Sequence, residues 1–257
     1  MVQTPDKPLV SVVTATFNAL PELKMTIPNI AGQDFRSVEH IIIDGGSSDG
    51  TAEYLAGLGG AVRWLSEPDG GIGDALNKGI AMARGEYVLV LQAEDRFCDP
   101  GSLRAAAAEL AGGEDIVAFE VDLLFADGSV RRRRSRPFGW LTRFKMTSPH
   151  QGMFCRRDLF SRIGAFDPEF RIAMDYEFLL RAMQRGAQLK AVPWPVAVMP
   201  ATGISTQADW PSIRARLAED RRLQRRHAAG FASRLMTEAF WVVYMPFKYM
   251  KARLCHG

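Results

Sequence analysis

Nearly unbroken apolar runs alternate with amphipathic stretches through the first part of the chain. Residues 9–15 (LVSVVTA), 40–44 (HIIID) and 87–91 (YVLVL), with a weaker run at 62–65, are short, β-branched and apolar at almost every position. Such continuity predicts strands buried on both faces of a parallel sheet. Between them the period lengthens. Leu76, Ile80 and Ala83 recur at i, i+4 and i+7 within 74–84, and Tyr54, Leu55 and Leu58 cluster within 51–58, which predicts two helices. Alternating strands and helices imply βαβ units and a doubly wound sheet, whose ligands bind outside the carboxyl ends of the strands. Beyond Pro100 the pattern changes. A helix is expected near 103–110, a hairpin of strands at 116–125 and from Val130 onward around Ala126-Asp127-Gly128-Ser129, a helix at 174–185 and a proline-rich extended segment at 192–200. No repeat or low-complexity linker divides the halves. The expected organisation is one α/β domain over 1–205, with a ligand-binding half at 8–100 and a mixed half at 101–205, then a basic, amphipathic helical extension at 206–257.

Polar residues follow each strand: Thr16-Phe17-Asn18, then Asp44-Gly45-Gly46-Ser47-Ser48-Asp49-Gly50, then Glu94-Asp95. Asp44 closes an apolar run and opens a glycine-rich turn, so its carboxylate is expected at the rim of the sheet, ready to accept from a base N–H or a sugar hydroxyl. An aspartate that only caps the turn into the next helix would look the same. Glu94 and Asp95 are adjacent acids at the end of a buried run, an arrangement that is costly unless a cation or donors compensate it. Mg²⁺ is commonly held by one or two carboxylates plus substrate phosphates, which favours a metal over a helix cap. Asp69-Gly70-Gly71-Ile72-Gly73 leads into a helix with Asp74 and Lys78 one turn apart. Backbone N–H groups and a lysine at a helix start suit a diphosphate; a plain surface ion pair accounts equally well for the two side chains. Asp175 falls in the first turn of the 174–185 helix, where the helix dipole favours its ionised form, and Glu177 points elsewhere around that helix.

Two other motifs compete. Gly71-Ile72-Gly73-Asp74-Ala75-Leu76 imitates a dinucleotide fingerprint but places Leu76 where a small residue belongs and is separated from its strand. Gly46-Ser47-Ser48-Asp49-Gly50 matches a nucleophile elbow with His150 or His227 downstream as a formal base, which keeps a serine hydrolase acting through Ser48 as an alternative.

Composition narrows the classes. The 257 residues are 47% hydrophobic and 24% charged, enough for a full core and against global disorder. Thirty-two basic residues against 29 acidic ones leave a net charge of +3, which demands no polyanionic partner. Cys98, Cys155 and Cys255 are odd in number and widely spaced, so neither a disulfide framework nor a zinc cluster is expected and a reducing compartment fits. No secretory pattern opens the chain, and the apolar run at 239–247 falls well short of the ~20 residues a spanning helix needs.

Taken together, VSVVTATFN (10–18), HIIIDGGSSDGT (40–51), SEPDGGIGDALNKGIAMARGEYVLVLQAED (66–95) and AMDYEFLLR (173–181) resemble family 2 glycosyltransferases, most closely the bacterial branch that builds exopolysaccharides and glycolipids. The resemblance extends over roughly residues 8–205. It implies a GT-A fold, a Rossmann-like doubly wound mixed sheet in a single domain. It also implies inverting transfer from a nucleoside-diphosphate sugar to a glycan or polyprenyl-diphosphate-linked acceptor, assisted by Mg²⁺ or Mn²⁺. By the same resemblance Ala15 and Thr16 lie by the nucleotide, Asp44 on its base or ribose, Gly71, Asp74 and Lys78 on the donor side, Glu94 and Asp95 in the acidic motif with Asp95 touching the metal, and Asp175 serves as catalytic base. His150 and Gln151 lie in a segment the family places near the acceptor or donor sugar. The chain departs from the family pattern at Ala15, where proline is common, and at Glu94, where the motif usually begins with aspartate. The second departure leaves a nucleotide-sugar or glycan-binding module without catalysis as a nonenzymatic alternative.

Basic residues are concentrated in two places. Arg131, Arg132, Arg133, Arg134 and Arg136 follow the expected hairpin turn and read as a solvated edge. Arg214, Arg216, Arg221, Arg222, Arg225 and Arg226 stud a helical stretch, after which Met236, Phe240, Val243, Phe247, Met250 and Leu254 recur at helical spacing, with Pro246 expected to kink the stripe. With Trp241, Tyr244, Lys248, Lys251 and Arg253 beside it, the stripe suits a helix lying on an anionic membrane surface, so the expected location is cytoplasmic, peripheral on the inner face of the cell membrane. Packing of the stripe against the catalytic domain is the alternative. No helix-turn-helix, zinc or RNP signature accompanies the arginines, which excludes a nucleic-acid partner.

Overall fold

The computed structural model describes residues 7–201 and 209–255; the side chains of Lys251, Leu254 and Cys255, and the boundary expected at 205–206, lie outside the described residues. Four parallel strands, β1 (Val10–Thr16), β2 (Val38–Asp44), β3 (Arg63–Ser66) and β4 (Tyr87–Val90), lie in the order β3-β2-β1-β4. The helices α1 (Leu20–Ala31), α2 (Thr51–Gly57) and α3 (Ile72–Met82) make the crossovers between them. The sheet continues as a mixed one. After β5 (Arg96–Phe97) and α4 (Ser102–Leu110) come β6 (Ile116–Leu124), β7 (Val130–Arg133), β8 (Met153–Arg156), α5 (Arg157–Ile163), α6 (Met174–Gln184) and β9 (Leu189–Pro200). The full order is β3-β2-β1-β4-β8-β6-β9-β5, with β7 paired to β6. The fold is GT-A, and two helices, α7 (Trp210–Arg226) and α8 (Gly230–Cys255), follow it.

Strand alternation sorts the core onto both faces. Val10 and Val12 pack with Leu89, Phe119 and Phe154 on one side, while Val13 and Ala15 pack with Ile41, Leu76 and Phe178 on the other. Close approach of α3 to the sheet requires Gly79, where a Cβ would sit 2.4 Å from Val13 Cγ1. The expected hairpin forms, with Gly128 at φ +79° in its turn. The proline-rich segment becomes β9, which runs parallel to β6 through a register irregularity at Phe119–Val121 that accommodates Pro193 and Pro195.

Besides the two-residue β5, three elements stand outside the sequence expectations. In α1 the buried set Leu23, Thr26, Ile27 and Ile30 has helical spacing, but Pro21 and Pro28 interrupt its appearance. β8 is only four residues long and sits between β4 and β6, so pairing rather than pattern creates it. α5 spans seven residues, too few to display a period.

The C-terminal helices pack on the domain rather than standing apart. Trp241 is 2% exposed and its indole N–H donates to Gln224 Oε1 at 2.8 Å; Gln224 in turn donates to Phe144 O at 2.9 Å and meets the Tyr176 hydroxyl at 3.3 Å. The stripe expected from the sequence is not the buried face. Met236, Val243, Phe247 and Met250 are exposed, and the domain-facing side carries Thr237, Trp241, Tyr244 and Lys248. α8 continues past Pro246 without a break. No helix among the described residues is long and apolar enough to cross a membrane.

Candidate active site

Strand register builds the rim of the site. Thr16 lies beside Asp44, and Asp44 beside Ser66, at the carboxyl ends of β1, β2 and β3. The chain order reverses between β1 and β4, where doubly wound sheets open their ligand crevice. Ala15 and Thr16 are buried there, and the Thr16 hydroxyl has no hydrogen-bond partner among the described residues. Buried polar groups are rarely left so, which makes this hydroxyl a group able to bond a ligand.

Asp44 does not present an open carboxylate. It is fully buried, accepts from Ser66 Oγ at 2.6 Å, and accepts from the backbone N–H and hydroxyl of Ser47. Turn chemistry won over exposure: the aspartate at the strand end folds onto the N–H groups of the glycine-rich turn it opens. Asp49 likewise accepts from Thr51 and from Leu20 N–H.

The loop before α3 is similarly self-satisfied. Gly71 N–H donates to Asp69 and Gly70 N–H to Asp74, which holds the Asp74 carboxyl below its usual range with further help from Lys78. Lys78 pairs with Glu67 at 2.7 Å and Asp74 at 3.2 Å, the plain surface pairing rather than an open phosphate ligand. The loop nonetheless borders the catalytic side, because a Cβ on Gly71 would lie 3.9 Å from the Arg171 guanidinium and one on Gly73 3.4 Å from Met174 Sδ.

Among the described residues Ser48 has no histidine partner. Its N–H and hydroxyl both meet Asn18 Oδ1, while His150 bonds to Asp175 and His227 to Gln184 and Glu177. The hydrolase alternative loses its base.

Asp95 and Asp175 converge on the segment 150–151. Asp95 is 2% exposed; burial pushes its carboxyl up to about 6 against the Gln92 N–H bond at 2.9 Å, a hydrogen bond from Gln151 and the nearby His150 imidazole, with Glu94 adding like-charge repulsion. Asp175, on the first turn of α6, accepts from Tyr176 N–H at 2.8 Å and meets His150 Nδ1 at 3.0 Å. An ionised carboxylate only accepts, so Nδ1 carries the proton, and the buried Nε2 has no partner among the described residues. Burial disfavours the charged imidazole, yet the Asp175 bond and the fields of Asp175 and Asp95 outweigh it and hold the His150 pKa above its ordinary value.

Among the described residues no group of three or more histidine, cysteine or acidic side chains is disposed to hold a metal. The donor set still suits a hard divalent cation whose remaining ligands come from a substrate. Asp95 offers carboxylate oxygens whose burial its hydrogen bonds only partly offset, and Mg²⁺ typically takes one or two carboxylates together with phosphate oxygens.

A cavity of about 640 Å³ opens beside His150, Gln151 and Asp175. Its wall carries side chains expected elsewhere from the sequence, Arg131 and Arg133 from β7 and Arg216, Tyr244 and Lys248 from α7 and α8, together with Asp220 of α7. The 131–134 run is not simply a solvated edge, because strand alternation turns Arg131 and Arg133 to the cavity while Arg132 pairs with Asp122 at 2.9 Å. Burial pushes the Asp220 carboxyl up to about 7, with Arg216 opposing. Glu219 organises α6 itself. Its carboxylate accepts from Arg171, Ile172 and Ala173 N–H at 3.2, 2.8 and 2.9 Å, capping a helix whose own N-cap, Ala173, offers no side-chain acceptor. Arg216, Glu219 and Asp220 stand at i, i+3 and i+4, a one-face spacing that was legible in the arginine-rich stretch had its interleaved acids been weighed.

Comparison with known proteins identifies the family and the fold. Residues 11–171 match the family model described as glycosyl transferase family 2. The chain is 42% identical over 183 residues to a glycosyltransferase of Mycobacterium tuberculosis, covering 68% of this chain and 69% of the relative. It is 30% identical over 191 residues to a PGL/p-HBAD biosynthesis glycosyltransferase of Mycobacterium bovis BCG, covering 70% and 72%. Among solved structures it superposes on the mannosyltransferase PcManGT of Pyrobaculum calidifontis, determined with GDP-Man and Mn²⁺, with a TM-score of 0.70 at 20% identity over 97% of this chain and 74% of that one. It also superposes on S. aureus TarS with a TM-score of 0.61 at 17% identity, covering 82% of this chain and 39% of TarS.

Proposed function

The chain belongs to glycosyl transferase family 2, and on that premise we propose that it transfers a sugar, with inversion, from a nucleoside-diphosphate sugar to a hydroxyl of a glycan or lipid-linked acceptor in cell-surface polysaccharide or glycolipid synthesis. One observation carries the reading. Asp95 and Asp175, from distant stretches of the chain, meet adjacent residues of one segment, Asp95 through a hydrogen bond from Gln151 and Asp175 through His150 Nδ1 at 3.0 Å, which supports placing a cation-bound diphosphate and a base at one site. The acceptor hydroxyl attacks the anomeric carbon opposite the departing diphosphate, and Asp175 takes its proton. His150 holds the Asp175 carboxylate in place through Nδ1. Asp95, with Glu94 beside it, would hold Mg²⁺ or Mn²⁺, which supplies charge neutralisation of the leaving oxygens. The GDP-Man and Mn²⁺ in the Pyrobaculum structure support this assignment of donor class and cation.

On the donor side, Thr16 offers its unpartnered hydroxyl and Ala15 its backbone to the nucleotide, while Asp44 shapes the turn that borders the base or ribose. Gly71, Asp74 and Lys78 flank the donor. Lys78 reaches a phosphate only by exchanging partners with Glu67 and Asp74.

The exposed face of α8 meets an anionic membrane surface in this reading. Phe231, Leu235, Val242, Val243, Phe247 and Met250 are each more than half exposed on one helix, with Arg234 and Arg253 alongside, a pairing of apolar area and positive charge suited to anionic lipid. Val243→Glu with Phe247→Glu is expected to abolish flotation with phosphatidylglycerol vesicles while leaving the fold intact; unchanged flotation contradicts the membrane assignment.

A thermal-shift panel of UDP-, GDP- and dTDP-sugars with and without Mn²⁺ tests the main reading. Stabilisation by one nucleotide class, enhanced by Mn²⁺, is the expected outcome. No stabilisation by any donor overturns the proposal.

A further inference from the structure

We propose that α7 and α8 form the acceptor wall of the enzyme, and that the acceptor they receive carries an anionic group near the hydroxyl to be glycosylated. The inference rests on the glycosyl-transfer reading for the identity of Asp175 as base, but not for the geometry of the wall.

The cavity beside Asp175 draws cationic side chains from four segments that are remote in sequence: Arg131 and Arg133 from β7, Lys145, Arg216 from α7 and Lys248 from α8. Among the described residues two carboxylates, Asp175 and Asp220, line it with them. Five cations against two acids leave a net positive cavity even with both acids ionised. The field is felt at the centre of the site, because Arg133 interacts electrostatically with both Asp175 and Arg216. Arg216 and Lys248 are half-buried in the recess, and Arg131, Arg133 and Lys145 stand at its exposed mouth; cations converging on one cleft attract an anion more strongly than the same charges spread over a surface. Neutral sugars need no such excess.

The wall is also mixed in character. Leu123, Phe125, Ile172, Met199 and Ile213 line the same cavity, and Tyr244 adds an aromatic face beside Lys248. An acceptor with an apolar portion and a negative group matches this lining better than a free neutral glycan. The helices that supply the wall are tied to the reacting end. Glu219, between Arg216 and Asp220 on α7, caps the helix that carries Asp175, so displacement of α7 would move base and wall together. The donor's own diphosphate belongs on the other side of His150, toward Asp95 and the crevice between β1 and β4.

The test uses the full-length protein and three probes of equal chain length: octyl phosphate, octyl glucuronide and octyl glucoside. Binding is measured by calorimetry with and without the nucleoside diphosphate and Mn²⁺ that give the largest thermal shift. Either anionic probe is expected to bind at least tenfold more tightly than octyl glucoside, and the preference for phosphate or carboxylate identifies the anion. Lys248→Gln and Arg133→Gln, made singly and together, are expected to remove that advantage. Arg104→Gln, at a distant exposed site, is expected to keep it, as is donor stabilisation in every variant. Equal binding of all three probes overturns the proposal, as does displacement of octyl phosphate by the nucleoside diphosphate, which would assign these cations to the donor. Failure of every nucleotide to bind, with anion preference retained, would instead overturn the glycosyl-transfer reading and leave the anion-binding cavity standing.

Discussion

The two sides of the cleft are held together differently. At the rim of the parallel strands, polar groups are fixed largely by near neighbours in sequence: Asp44 by Ser47, Asp49 by Thr51, Asp69 and Asp74 by Gly71 and Gly70. On the opposite wall the bonds span long separations: His150 to Asp175, Glu219 to Ile172 and Ala173, Gln224 to Tyr176 and Trp241. A rim made of turns forms whenever its strands pair. A wall made of tertiary contacts depends on α6, α7 and α8 docking as a unit, so damage to one member spreads to the others.

Four substitutions separate the two sides, in descending order of expected effect. Asp175→Asn removes the proton acceptor and is expected to lower transfer by about 10²–10⁴-fold with donor affinity within about twofold, measured by steady-state kinetics and calorimetry. Loss of donor binding instead would place Asp175 on the rim side.

Glu219→Ala leaves three N–H groups, on the N-cap of α6 and the two residues before it, without their acceptor, a cost of about 1–3 kcal/mol in denaturant unfolding. The turnover number should fall while donor affinity holds, because α6 rather than the rim loses its anchor. Equal loss of donor affinity would erase the distinction between rim and wall.

Asp95→Asn sets function against stability. A carboxyl raised by burial from near 4 to about 6 binds its proton more tightly in the folded state, so without metal the protein loses stability as pH rises between those values and does not regain it above. The variant should therefore gain on the order of 1 kcal/mol at pH 7, about 2–4 °C in Tm, and gain nothing at pH 4. A lower Tm at pH 7 in EDTA would show that the ionised carboxylate stabilises the fold.

Lys78→Ala is expected to leave stability nearly unchanged in denaturant unfolding, since its two ion pairs are partly exposed and screened by solvent and salt. Donor affinity should fall less than threefold by calorimetry. A loss of tenfold or more would mean that Lys78 leaves Glu67 for the phosphate.

Much of the rim could be read along the chain, because continuous apolar strands followed by Asp44 or by Glu94-Asp95 are local features. What could not be read there was the state of each group: whether Asp44 faced solvent or turned onto Ser47 depended on where Ser66 of the neighbouring strand would lie. The wall was less legible. Asp175 was placed correctly on the first turn of its helix, but its partner His150 and its cap Glu219 come from segments whose proximity only the topology creates. The C-terminal stripe misled for a physical reason. Helical spacing identifies an apolar face without saying what covers it, and here the adjoining face, with Trp241 and Tyr244, meets the domain, with Phe240 at the edge of the stripe packing on Phe144. Removal of residues 231–257 would thus take away part of the cavity wall and could not leave the enzyme otherwise unchanged.

The central claim is that Asp95 and Asp175 serve opposite ends of one transferred sugar. Calorimetric titration of wild type, Asp95→Asn and Asp175→Asn with the preferred donor, with and without Mn²⁺ and followed by product assay, tests it most directly. The account predicts that Asp175→Asn keeps Mn²⁺-enhanced donor binding without turnover, and that Asp95→Asn loses the Mn²⁺-dependent part of donor affinity, about tenfold or more. Normal turnover by Asp175→Asn, or an undiminished Mn²⁺ effect in Asp95→Asn, would contradict it.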